Sequence, residues 1–199
     1  MTEIFHTIGT PTSGEYKEKG SKFLAFAYPV ESEDDVKECL ENLRKEFYDA
    51  RHHCYGYILG TSEQATRAND DGEPNHSAGD PILGQIKSFE LTNCLVVVVR
   101  YFGGTKLGVG GLIQAYKEAA NEALVKAVKK RIIETHSVKL KFNYDQMGTV
   151  ERWLEDFPCT EIQREYTTSC ILSFEIEISK WPELRSKIEE NHLIEQVKE

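Results

Sequence analysis

The run Leu95-Val96-Val97-Val98-Val99 constrains this chain more than any other feature. Consecutive apolar, mostly β-branched residues leave no polar face, so they form a strand covered on both sides, inside a sheet packed between helices. Whatever follows such a strand is delivered to its carboxyl end. Here that is Arg100-Tyr101-Phe102-Gly103-Gly104-Thr105-Lys106-Leu107-Gly108-Val109-Gly110-Gly111, with five glycines among two cations and two aromatics. Apolar positions then recur at helical spacing through Leu112, Tyr116, Ala119, Ala120, Ala123, Leu124, Ala127 and Val128, a long amphipathic helix. Lys126, Lys129, Lys130 and Arg131 suit the negative end of its dipole and are read as ending it.

Glycines let a backbone approach a ligand, and a helix N-terminus offers unpaired N–H groups to an anion. With Arg100 and Lys106 supplying charge-assisted contacts, the natural guest of Gly103, Gly104, Gly108, Gly110 and Gly111 is phosphate. The same glycines also serve a tight strand-to-helix crossover with both cations solvated, and the two readings weigh about equally. No Gly-Lys-Ser/Thr closes the string as in a Walker A loop, and no downstream acid completes a dinucleotide fingerprint. No cofactor is expected.

Upstream, residues 16–30 read as a basic, glycine-containing turn running into an alternating apolar strand. Ser32 with Glu33, Asp34 and Asp35 opens a helix whose apolar face is Val36, Leu40, Leu43 and Phe47. His53 to Leu59 reads as a second strand, and Gly60 to Gly79 as one long polar loop. That loop contains Asp70, Asp71, Gly72, Glu73 and Pro74. Its three carboxylates fit turn chemistry better than a hard-cation site, since the spacing is not that of an EF-hand. His52, His53 and Cys54 point alternately to opposite faces of a strand, so they do not converge on zinc. The histidines are read as hydrogen-bonded strand-edge residues, or as one lining a cleft. No nucleophile stands in a recognisable catalytic setting, so no catalytic residue and no metal ligand is assigned.

After Ile133 the pattern becomes a compact β-α-β-β-α-β series. Val138 to Phe142 begins it, Pro158 stops a helix around residues 148–157, strands fall near 161–166 and 170–178, and Pro182 opens a last helix. A ferredoxin-like split βαβ unit accounts for it. Two domains are expected, residues 1–133 and 134–199, an α+β organisation. With 40% hydrophobic and 29% charged residues, the composition is that of an ordinary globular protein.

The net charge of −9 opposes the diffuse positive field of a non-specific duplex binder. The first 133 residues carry 16 basic against 19 acidic groups, net −3, and the remainder 8 against 14, net −6, so the first domain is the better candidate for RNA. Five widely spaced cysteines without a Cys-x-x-Cys pair fit a reducing cytosol. Residues 1–6 lack the basic start and apolar core of a leader, and no stretch approaches the roughly 20 apolar residues of a membrane span, so neither secretion nor membrane insertion is expected.

Residues 70–117 resemble the signature of the IMPACT (YigZ-like) family. The match rests on Asp70-Asp71-Gly72-Glu73-Pro74, on Ala78-Gly79 with Pro81-Ile82-Leu83, on residues 96–108, and on Gly110-Gly111-Leu112 with Ala115-Tyr116. It reaches back to Lys19-Gly20-Ser21-Lys22-Phe23 and Ala50-Arg51-His52-His53, and forward more weakly through the small C-terminal domain. The resemblance implies an N-terminal left-handed βαβ domain of the kind shared with a ribosomal-protein domain and GHMP kinases. The C-terminal domain would be similar to the last domain of the ribosomal translocation factor. Eukaryotic relatives regulate the starvation-response kinase, by competing for its ribosome-bound activator, and carry an additional N-terminal interaction domain. This chain begins at the shared domain, so the expectation is the family's binding role without that kinase control.

The resulting expectation is a cytoplasmic, non-enzymatic, translation-associated regulatory protein. Its N-terminal cleft would be built from the 70–81 loop, His52, His53 and the glycine string. Lys22, Arg100 and Lys106 would meet the phosphates of RNA or a ribosomal component, with Tyr101 or Phe102 stacking on a base. A protein partner would use the C-terminal domain. The rival is a metal-dependent enzyme acting on a phosphorylated small molecule or nucleotide, with Asp70, Asp71 or Glu73 holding a divalent ion and His52 or His53 moving protons.

Overall fold

The described residues of this computed structural model are 5–61 and 64–197, and the reading of residues 1–4 lies outside them. The chain divides into two compact units, one ending at Ile132 and the other beginning at Ile133. Among the described residues the first unit runs β1 (Phe5–Ile8), β2 (Thr12–Glu18), β3 (Ser21–Pro29), α1 (Glu33–Glu46), β4 (His52–Leu59), β5 (Ala65–Asn69), α2 (Gly79–Ser88), β6 (Cys94–Tyr101), α3 (Gly108–Leu124) and β7 (Lys129–Ile132). Strands β1 and β7 pair with each other, and the rest form an antiparallel sheet in the order β2-β3-β6-β4-β5.

The valine run thus lies in the central strand. Val96 and Val98 face α2 and α3 together with Phe23, Ala25, Ala27, Cys54 and Ile58, while Leu95 and Val97 face α1 with Tyr55, Tyr57 and Leu59. Both faces are apolar because both are covered. Helix α1 starts at a capping box, in which Ser32 Oγ accepts from the Asp35 N–H and the Asp35 carboxylate accepts from the Ser32 N–H.

Several elements depart from the sequence reading. The turn expected before the strand of residues 16–30 falls at Lys19 and Gly20, both at positive φ, but it joins two strands, folding β2 back onto β3 as a two-residue hairpin. The long loop is interrupted by β5, which adds an edge to the sheet by pairing with β4. His53 is buried, although β5 pairs with β4 only from Tyr55 to Leu59 and leaves the His53 N–H to the Asp71 carboxylate. Helix α3 begins at Gly108 instead of Leu112 and ends at Leu124, which moves Lys129, Lys130 and Arg131 onto β7, away from the helix terminus.

The second unit contains β8 (Thr135–Phe142), α4 (Met147–Asp156), β9 (Cys159–Tyr166), β10 (Cys170–Glu177), α5 (Trp181–Glu190) and β11 (Ile194–Gln196), with the antiparallel order β11-β8-β10-β9. This is the ferredoxin-like split βαβ arrangement. Its strands alternate, with Val138, Leu140, Phe142, Cys170, Leu172, Phe174 and Ile176 packed on Val150 of α4 and Leu184 and Ile188 of α5. Residues Lys139, Lys141, Ser173 and Glu175 on the other face keep contact with solvent. One covered face gives period two, where two covered faces gave a continuous run. The protein is therefore a mixed α+β chain of two domains. Among the described residues no helix is long and apolar enough to cross a membrane.

Candidate functional site

The end of β6 and the 70–77 loop meet over the α2/α3 face of the first sheet. Arg100 points there, and its Nη1 donates to Glu73 Oε1 at 2.5 Å, with both side chains almost wholly buried. Tyr116, reached from α3, donates its hydroxyl to the same Glu73 oxygen at 2.8 Å. The Cys54 thiol lies 3.3 Å from that hydroxyl and 2.9 Å from the Asp70 carbonyl oxygen. Burial, reinforced by the neighbouring thiol and the Glu73 carboxylate, pushes the Tyr116 phenol above its ordinary range, and burial does the same to the Cys54 thiol. Both therefore stay protonated. Aromatic rings flank the guanidinium, Phe23 at 5.5 Å and Phe102 at 5.7 Å from its carbon to their centroids.

The other carboxylates of the loop are consumed locally. Asp70 accepts from the N–H groups of His76, Ala78 and Gly79 at 2.8, 3.0 and 2.8 Å, so it caps α2 from outside the helix. Burial raises its carboxyl pKa, but those three N–H groups outweigh it and hold the group below its ordinary value. Asp71, at positive φ, accepts from the His53 N–H at 2.7 Å and lies 3.6 Å from Arg44, while its carbonyl oxygen is 2.9 Å from His52 Nδ1. Gly72 sits over the His52 ring, also at positive φ. Pro74 accepts from Ser77. The 70–74 carboxylates therefore serve the turn, the helix end and the ion pair. Among the described residues no three His, Cys, Asp or Glu side chains are grouped to hold a metal ion.

Above the ion pair opens a cleft of about 360 Å³ lined by Glu73, Pro74, Arg100, Phe102, Lys106, Leu107, Gly108, Val109 and Leu112. The N-terminus of α3 opens beside it with no side-chain cap and no acid in its first turn, so the initial N–H groups have no partner within the helix. A Cβ built at Gly104, Gly108 or Gly110 would meet nothing within 4 Å, so the backbone there is uncovered. Gly103 is different, because a Cβ on it would run into the backbone of Gly20, and its N–H donates to Ser21 Oγ at 3.1 Å. It is a packing glycine.

A second cleft, of about 400 Å³, shares Arg100 and Phe102 with the first and is otherwise lined by Asp49, Ala50, Arg51, His52 and Tyr101. Tyr101 donates there to Asp49 at 2.7 Å, which raises the phenol's pKa. Lys22, opposite Tyr101 in register, is tied at 3.2 Å to Glu15 and lines neither cleft. The structure thus gathers Arg100, Phe102, Lys106, Gly108, Glu73 and Pro74 at one cleft, puts Tyr101 and His52 at the other, and leaves Lys22 and His53 outside both. The sequence reading missed Tyr116 and Cys54 as polar partners and Leu107, Val109 and Leu112 as walls. Only Leu107 and Val109, apolar residues set among glycines, gave a local signal.

A model of the Impact N-terminal domain matches residues 19–124, and one for a domain of unknown function (DUF1949) matches residues 140–191. The IMPACT family member YvyE of Bacillus subtilis is 32% identical over 158 residues, covering 78% of this chain and 72% of that protein. The Escherichia coli member YigZ is 31% identical over 172 residues, covering 85% and 84%. A crystal structure described as that of a hypothetical protein is 28% identical and superposes with a TM-score of 0.76, covering 100% of this chain and 98% of that one.

Proposed function

The chain belongs to the IMPACT family, and from that premise we propose that it is a cytosolic, non-enzymatic regulatory protein of translation whose N-terminal cleft receives an anionic partner, RNA or a ribosomal component. The family membership supports the regulatory part. One observation carries the site: Lys106 and the uncapped N-terminus of α3 open on a cleft whose remaining lining is apolar or already ion-paired. A helix N-terminus and a lysine together attract an anion, and the uncovered glycines let it reach the N–H groups.

This is a narrower site than Lys22, Arg100 and Lys106 acting side by side. Glu73 already neutralises Arg100, leaving Lys106 as the cation of the cleft without an ion pair or hydrogen bond to the described residues. The rival, a metal-dependent enzyme acting on a phosphorylated small molecule or nucleotide, finds less support, because Asp70, Asp71 and Glu73 are directed at three different internal donors.

Co-sedimentation with ribosomes and with total RNA tests the proposal. The wild type should pellet with one of them at low salt, less so as salt rises, and a Lys106→Ala/Val109→Asp variant should stay in the supernatant. Pelleting unchanged by the double substitution, or none at low salt, overturns it.

A further inference from the structure

Resting on that anion-site reading and narrowing its partner, we propose that the cleft binds the carboxyl terminus of a protein chain that ends in an apolar residue. The terminal carboxylate meets Lys106 and the first N–H groups of α3. The terminal side chain lies among Pro74, Phe102, Leu107, Val109 and Leu112.

Charge decides for one carboxylate over a nucleic-acid backbone. Arg100 and Glu73 cancel at 2.5 Å, so the cleft retains Lys106 and the helix terminus, together roughly +1.5 elementary charges. That matches a single anion. A phosphate chain asks for a track of cations, and this half of the molecule is net −3 over residues 1–133.

The lining points the same way. Phe102 and Val109 are 59% and 53% exposed, large apolar side chains held open beside the anion site. At a chain terminus the carboxylate and the apolar side chain hang from one Cα, and this one cleft is lined by both a cation, Lys106, and apolar walls. About 360 Å³ admits a chain end and not a helix of ~10 Å diameter.

An independent sign of an absent ligand lies in the floor. Arg100, which lines both clefts, is only 7% exposed, yet its Nε is buried with no hydrogen-bond partner among the described residues. Buried guanidinium N–H groups are ordinarily satisfied, and an acceptor entering the floor of the cleft supplies what the fold leaves out.

Fluorescence anisotropy tests this with a pool of labelled hexapeptides ending in Leu, Ile, Val or Phe as free acids, the same pool as C-terminal amides, and a labelled oligouridylate. The free acids should bind at least about tenfold more tightly than the amides, and Lys106→Ala should cost about tenfold, the worth of one charge-assisted contact. Val109→Asp places an acid in the first turn of α3, where the dipole favours it, so it should abolish peptide binding without lowering the urea midpoint. Equal binding of acids and amides, binding of neither, or binding indifferent to Val109→Asp overturns the proposal. If the oligouridylate alone binds and requires Lys106, the carboxyl-terminus proposal falls while the anion-site reading stands. If neither ligand depends on Lys106, both fall.

Discussion

In the 70–77 loop almost every polar group has a partner inside the fold, whereas residues 104–111 leave theirs open. Asp70 meets three N–H groups, Asp71 meets His53, and Glu73 meets Arg100 and Tyr116. Across the cleft, Lys106 is exposed and the start of α3 is uncapped. The two segments share a wall, yet the acidic one is spent on holding the structure and the glycine-rich one is left for an outside partner. Charge alone therefore does not mark function; an unanswered charge does.

That contrast breaks if the acidic loop proves dispensable to the fold. Replacing Glu73 with Ala strands a buried guanidinium and should cost about 3–5 kcal/mol in urea unfolding. The pair Glu73→Leu with Arg100→Met should restore most of that loss, since it removes both charges. Next in size is Asp70→Ala, which should cost about 2 kcal/mol by uncapping α2. Its carboxyl is held below the ordinary 3.8, so the stability it contributes is whole above that pH and is lost as pH falls through the folded value. The gap between wild type and Asp70→Ala, full at neutral pH, should accordingly close on acidification below 3.8.

The glycine side sharpens the contrast by giving the opposite pattern. Gly110 has helical φ and open space at its Cβ, so Gly110→Ala should raise stability by about 1 kcal/mol while its methyl obstructs the ligand. Lys106→Ala, the smallest effect on folding, should stay within about 0.5 kcal/mol of wild type and lose partner binding. Unfolding curves paired with the anisotropy assay read both.

Much of the fold was legible because it rests on local pattern. The continuous run of β6 and the alternation of β8 and β10 report how many faces of each sheet are covered. Ser32 and its carboxylates announced α1. By contrast, α2 escaped the sequence reading because its cap comes from Asp70, nine residues before Gly79. The start of α3 escaped because its glycines are poor helix formers, held in place by packing of the residues that follow.

The candidate site was legible only as a neighbourhood. The glycine string, Arg100, Lys106 and the acidic loop are all visible in the chain, but Tyr116 reads as one more core position of an amphipathic helix. Glu73 and Arg100 stand 27 residues apart, and no local rule pairs them. By itself the sequence determined two domains' worth of strands and helices and the family, since hydrophobic period and motif order are properties of the chain. Only the tertiary structure decided that Arg100 is neutralised and Lys106 is free, because which cation meets a carboxylate depends on the ångström-scale approach of side chains from different elements.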